Sequence, residues 1–113
     1  MATERAVLFQ STLGGANPSF VKSMRQSDVY NGYWLSIPQM FCVDHLPNRD
    51  AAITLVDSQG VEFDARYLRL GRGLTGGWKR FAWQHNLVHG DALVFERPEP
   101  TVFRVYIFRA VDV

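Results

Sequence analysis

Along most of its length the chain mixes apolar and polar positions at the period of a β-strand. SFVKSM, residues 19–24, sets Phe20 among polar neighbours, and GYWLSIP, residues 32–38, is aromatic and branched until Pro38 stops it. These predict two strands joined by RQSDVYN. AITLVD and VEFDARYLRL flank SQG, which has the composition of a hairpin turn. In the second of these strands Val61, Phe63 and Ala65 fall on one face and Glu62, Asp64 and Arg66 on the other. HGDALVFER turns through Gly90-Asp91 into another strand. TVFRVYIFRA then sets Val102, Arg104, Tyr106 and Phe108 against Phe103, Val105 and Ile107, with Pro98 and Pro100 in the connection.

Helical spacing appears twice. QMFCVDHL follows Pro38, whose missing N–H costs nothing in a first turn, and Pro47 closes it. WKRFAWQHNL places Trp78, Phe81, Ala82 and His85 on one stripe, with His85 lining the helix surface. Residues 1–17 read as a peripheral segment: TERAVLFQ supports a helical turn or two before GGAN ends it. Six or seven strands with two short helices suit a mainly β, open or nearly closed pseudo-barrel, richer in antiparallel than in parallel pairs.

A chain of 113 residues with 47% hydrophobic and 20% charged positions supports a single autonomous core. The lone Cys42 in MFCV reads as a buried thiol of a reducing compartment. No apolar run reaches the roughly 18 residues of a membrane span, and the N-terminus lacks a signal pattern, so no membrane partner is expected. His45, His85 and His89 are scattered and no second cysteine exists, which argues against a metal site. Serines and carboxylates form no converging acid and base, so neither catalysis nor a cofactor is expected.

Charge changes the picture more than composition does. The net charge is only +1, yet RYLRLGRGLTGGWKR, residues 66–80, carries Arg66, Arg69, Arg72, Lys79 and Arg80 without one acid. Such a segment is either a solvated basic loop or a flexible arm for phosphates and base edges. It resembles a phosphate loop only in its glycines, lacking the Lys-Ser/Thr ending. Trp34, Phe41, Phe63, Trp78, Phe81, Trp83 and Phe95 are expected in the core, with Trp78 anchoring the end of the arm, and Asp91 is expected to bond nearby backbone N–H groups.

Several linked elements occur in order: Phe20-x-Lys22, Ser27-Asp28-Val29, Ile37-Pro38, His45-Leu46-Pro47, Gly77-Trp78-x-x-Phe81 and Gly90-Asp91-Ala92-Leu93-Val94-Phe95. Through them, residues 18 to 110 resemble the plant-specific B3 DNA-binding domain, giving a division into residues 1–17 and a domain over 18–113. The resemblance implies a seven-stranded open pseudo-barrel with two short helices, similar to the DNA-reading domain of certain restriction endonucleases. It also implies double-stranded DNA as partner, gripped in the major groove by two arms, in a nuclear regulator of transcription with protein partners in transcription complexes.

By position the first arm is Met24 to Trp34, and Lys22, Arg25, Ser27, Tyr30, Asn31 and Tyr33 are its DNA-binding candidates. The second arm is Arg66 to Lys79, with Arg66, Arg69, Arg72, Thr75 and Lys79 as candidates and Arg69 and Arg72 leading as base readers. Auxin response factors, one branch, carry a reading His-Gly pair where this chain has Gly32 and Tyr33. With GRGLTGG replacing a longer basic tip, the chain looks closer to the reproductive-meristem-type branch and its relatives. The rival reading is a B3-like protein-interaction module with weak or non-specific DNA binding, which the near-neutral charge favours.

Overall fold

Seven strands carry the alternation in the structure, a computed structural model that describes residues 1–30 and 34–110. In chain order the elements are α1 (Ala2–Ser11), β1 (Ser19–Ser23), α2 (Gln26–Val29), β2 (Leu35–Ser36), α3 (Gln39–His45), β3 (Ala51–Val56), β4 (Glu62–Leu68), β5 (Gly73–Gly76), α4 (Trp78–Gln84), β6 (Ala92–Glu99) and β7 (Val102–Phe108). One sheet joins all seven strands in the order β1-β6-β7-β3-β4-β5-β2. Its neighbours are antiparallel except β3 and β7, which run parallel. Since β1 and β2 are both edges, the curved sheet is an open pseudo-barrel, the fold class expected.

The concave side holds the main core. On β4, Phe63, Ala65 and Tyr67 are buried while Glu62, Asp64 and Arg66 are exposed, so period two holds across that strand. Phe20 stacks on Phe95 at 4.9 Å and meets Phe41 edge-on at 4.7 Å, so β1, β6 and α3 share one aromatic cluster. Trp78, the first residue of α4, stacks on Phe81 at 5.6 Å within this core. Each fully buried ring of this kind stabilises the fold by about 1.5–3 kcal/mol relative to exposure.

The convex side has a core of its own. β6 is buried on both faces: Leu93 and Phe95 look inward, whereas Ala92 and Val94 are covered by Ala2 and Ala6 of α1. Small residues at positions 2 and 6 let that helix lie close to the sheet, and Phe9 packs on Tyr106 at 4.7 Å and Phe108 at 5.4 Å. The linker after α1 is held by Asn17, which donates to Glu96 at 3.0 Å, and Tyr106 donates to the other oxygen of the same buried carboxylate at 2.9 Å. The segment expected to be peripheral therefore docks along β1, β6 and β7 through a buried seam.

Other local expectations change. The described residues contain four helices rather than two, because α1 has nearly three turns and RQSDVYN contains α2. The strand expected over 32–38 is described only at Leu35–Ser36. Pro98 lies within β6, not in the connection, at a register shift between Glu96 and Glu99 where the ladder needs no N–H from it. Val61 lies just outside β4 and is exposed. Trp83 is 63% exposed, since it occupies the face of α4 opposite Trp78, Phe81 and Ala82. Cys42 is buried, as expected.

Candidate nucleic-acid interface

The second arm is stiffer than its glycines suggest. Its distal half is β5, paired with β4 on one side and β2 on the other. Leu68 and Gly73 close the turn, so its tip is Arg69-Leu70-Gly71-Arg72. Arg72 takes a left-handed backbone, φ 52°, and its N–H donates to the Arg69 carbonyl at 3.2 Å. Neighbouring elements hold the tip. The Asp50 carboxylate accepts the Arg69 N–H at 2.9 Å, the Arg69 Nε–H donates to Asn48 at 2.5 Å, and the Arg72 carbonyl accepts the Ile37 N–H at 2.8 Å. Glycine is required on the remaining side: a Cβ on Gly71 would come 2.6 Å from the Trp34 ring, and one on Gly73 would overlap it.

Arg66 and Thr75 are cross-strand partners on the convex face of β4 and β5, Arg66 exposed and Thr75 half-buried. The side chains of Arg69, Arg72 and Lys79 are exposed. Lys79 lies over the Trp83 ring at 5.0 Å and Arg80 over Phe63 at 5.3 Å, cation–π contacts that orient both. Beneath the tip a cleft of about 260 Å³ opens between α3 and the turn, lined among others by Val43, Tyr67, Arg69, Leu70 and Arg72. Burial pushes the Tyr67 hydroxyl up to about 12, Cys42 adds to the effect, and Arg72 and Arg69 act against it. At neutral pH that hydroxyl is uncharged.

The first arm is held by its own buried polar groups. Met24 is fixed at both backbone ends: its N–H donates to the Asp91 carbonyl at 2.7 Å and its carbonyl accepts the Gly90 N–H at 2.9 Å. Asp28 opens α2 by accepting the Arg25 N–H on its carboxylate at 2.8 Å, and its carbonyl accepts the Trp78 indole N–H at 2.8 Å. Trp78 thus ties the first arm to the end of the second. Arg25 and Ser27 are exposed on this framework, and the Tyr30 hydroxyl accepts the His89 N–H at 3.1 Å. Lys22 shares the concave face of β1 with Phe20. Partial burial lowers its pKa, Asp28 opposes that, and the nearby charge of Arg25 reinforces it. Asn31 and Tyr33 lie outside the described residues.

The remaining polar clusters are structural. Each ring nitrogen of His85 faces an oxygen acceptor, Nδ1 the Phe81 carbonyl at 2.8 Å and Nε2 the Asp57 carboxylate at 2.9 Å, so His85 ties α4 to the β3–β4 turn instead of simply lining a helix surface. Asp91 accepts the nearby Val88 N–H, as its turn position predicts, and also the remote Ala110 N–H and the Arg109 guanidinium. Among the described residues no group of three or more His, Cys, Asp or Glu side chains is placed to hold a metal. Sequence reasoning missed Trp34 as the wall of the second arm, Asn48 and Asp50 as its supports, and Leu70 at its tip. For the two supports the only local signal was a polar run after Pro47.

Comparison with known proteins bears on the fold and the family. The family model described as the B3 DNA binding domain matches residues 20–111. The chain is 52% identical over 108 residues to the B3 domain-containing protein At5g42700 of Arabidopsis thaliana, covering 96% of this chain and 51% of that protein. It is 47% identical over 111 residues to the B3 domain-containing protein Os05g0481400 of Oryza sativa subsp. japonica, covering 98% and 40%. The chain thus spans about half or less of these relatives. Among solved structures, the hypothetical Arabidopsis thaliana protein At1g16640.1 superposes with a TM-score of 0.69 at 25% identity, covering 82% of this chain and 91% of that one. The N-terminal domain of Helicobacter pylori LlaJI.R1 shares the fold alone, with a TM-score of 0.67 at 16% identity, covering 84% and 83%. The chain belongs to the B3 DNA-binding domain family.

Proposed function

From this membership we propose that the chain is a non-catalytic, sequence-specific reader of double-stranded DNA in a nuclear plant regulator of transcription, with its two arms entering the major groove. The observation that carries this reading is the support beneath the arms: Trp78 joins them, and the second-arm tip is fixed by Asn48, Asp50, Ile37 and Trp34. A tip held before binding loses little entropy on docking. Among the described residues the Arg69 side chain spends its Nε–H on Asn48, and a guanidinium has four further N–H donors for guanine O6 and N7. Arg72 is the second base reader. Lys22, Arg25, Ser27, Tyr30, Asn31, Tyr33, Arg66, Thr75 and Lys79 serve phosphates and neighbouring edges, and protein partners join through transcription complexes.

Methylation interference on a duplex selected from a randomised pool tests the geometry. Modification at guanine N7 is expected to block binding, and interference only at adenine N3 would place the protein in the minor groove. The double variant Arg69→Ala, Arg72→Ala is expected to lose at least about 1–3 kcal/mol of binding, with little change in unfolding. Undiminished affinity in that folded variant would favour the rival reading suggested by the net charge of +1, a protein-interaction module on the same barrel.

A further inference from the structure

At 89% exposed, Leu70 is the barest large apolar side chain among the described residues. A turn tip is ordinarily polar, and a leucine that touches almost nothing contributes little to folding. Its backbone, however, is immobilised. Arg69 is fixed through its N–H to Asp50, Arg72 through its carbonyl to Ile37, and Gly71 lies close against the Trp34 ring. The result is an apolar head on a rigid support, with the exposed Arg69 and Arg72 close to it along the chain.

We propose that Leu70 reads sequence by packing against the 5-methyl group of a thymine in the major groove. This rests on the DNA-binding reading above and adds a residue that hydrogen-bond chemistry alone would not select. The thymine methyl is the apolar group that a base pair presents at its major-groove edge, so an apolar head beside two cations matches an A·T pair next to guanine edges or phosphates. A wedge between base steps would be the minor-groove alternative, and it would kink the duplex.

The experiment replaces, one at a time, each thymine of a duplex selected from a randomised pool by deoxyuridine, which removes the methyl and leaves every hydrogen-bonding group. At one position the wild-type protein should bind about fourfold more weakly, the equivalent of about 0.8 kcal/mol for one buried methyl-sized group. Leu70→Ala should bind the parent duplex about fourfold more weakly, respond to uridine at no position, and unfold as the wild type does. Arg69→Ala should retain the uridine response. Wild-type affinity in Leu70→Ala, or a uridine response that survives the substitution, would overturn the assignment. Binding that is indifferent to every thymine methyl would overturn it while leaving DNA recognition intact, whereas failure to bind any duplex would overturn both.

Discussion

Strand β4 ends in two turns built on opposite plans. At the β3 end, Asp57 supplies the turn from within: one carboxylate oxygen accepts the Gln59 and Val61 N–H groups, both at 2.9 Å, and the other meets His85. Gly60 takes the left-handed position there, φ 81°. At the β5 end the left-handed residue is Arg72, and the holding groups come from the loop after α3, from the end of β2 and from Trp34. A turn that satisfies itself uses its side chains to do so. A turn supported by its neighbours spends fewer of its side chains on itself: at this tip Arg69 gives its Nε–H to Asn48, and Leu70 and Arg72 stand exposed.

The largest expected effect comes from removing the ring that ties the first arm to the end of the second. Trp78 is completely buried, stacks on Phe81, and donates to the Asp28 carbonyl of the first arm. Trp78→Ala is expected to destabilise the fold by about 3–5 kcal/mol, measured by denaturant unfolding, and to leave the Asp28 carbonyl without its indole partner. Loss of under about 1 kcal/mol would mean that the arms do not depend on this ring.

A smaller effect tests the self-satisfied turn. Burial raises the Asp57 pKa, but hydrogen bonds from His85, Val61 and Gln59 outweigh it, so the folded value lies below the ordinary carboxylate range. A group depressed in this way contributes stability above its unfolded pKa, about 3.9, and that contribution is lost as pH falls through the folded value. Asp57→Ala is expected to cost about 1–3 kcal/mol near pH 7 and leave duplex affinity unchanged. In thermal unfolding against pH, the gap between variant and wild type should narrow below about pH 4. A gap that is constant with pH would mean that the carboxylate charge contributes nothing.

The two turns also differ in how legible they were. SQG between alternating strands announces a hairpin, and Asp57 lies beside it. The supports of the other turn are distant: Asn48 is 21 residues from Arg69, and Asp50 is 19. Glycines hid β5, because a strand made of GLTG has almost no side-chain pattern and exists through pairing on both sides. The seam of α1 was obscured for a similar reason, its buried positions being Ala2 and Ala6, while Val7 and Leu8 are exposed. Period three to four placed α4 and its inward stripe of Trp78, Phe81 and Ala82 correctly, and only the expectation that a large aromatic is buried put Trp83 in the core. The motif order carried the family, and side-chain alternation carried β4. Backbone support from remote loops had no local sequence signal.

The smallest expected effect on stability is the sharpest test of the contrast. A non-glycine residue in the left-handed region costs about 1–2 kcal/mol, whereas glycine there costs roughly 0.5–1 kcal/mol in lost chain freedom. Arg72→Gly should therefore leave the fold as stable as before, or more stable by up to about 1 kcal/mol, while lowering duplex affinity by about 1–3 kcal/mol if this side chain reads a base. Gly60→Ala at the other end should do the reverse, costing about 1 kcal/mol of stability and no affinity. That pair of results would tie Arg72 to a contact outside the fold. If Arg72→Gly instead destabilised the protein by more than about 1 kcal/mol and bound DNA like the wild type, Arg72 would be a structural member of its turn, as Asp57 is of the other, and the two ends of β4 would follow one plan.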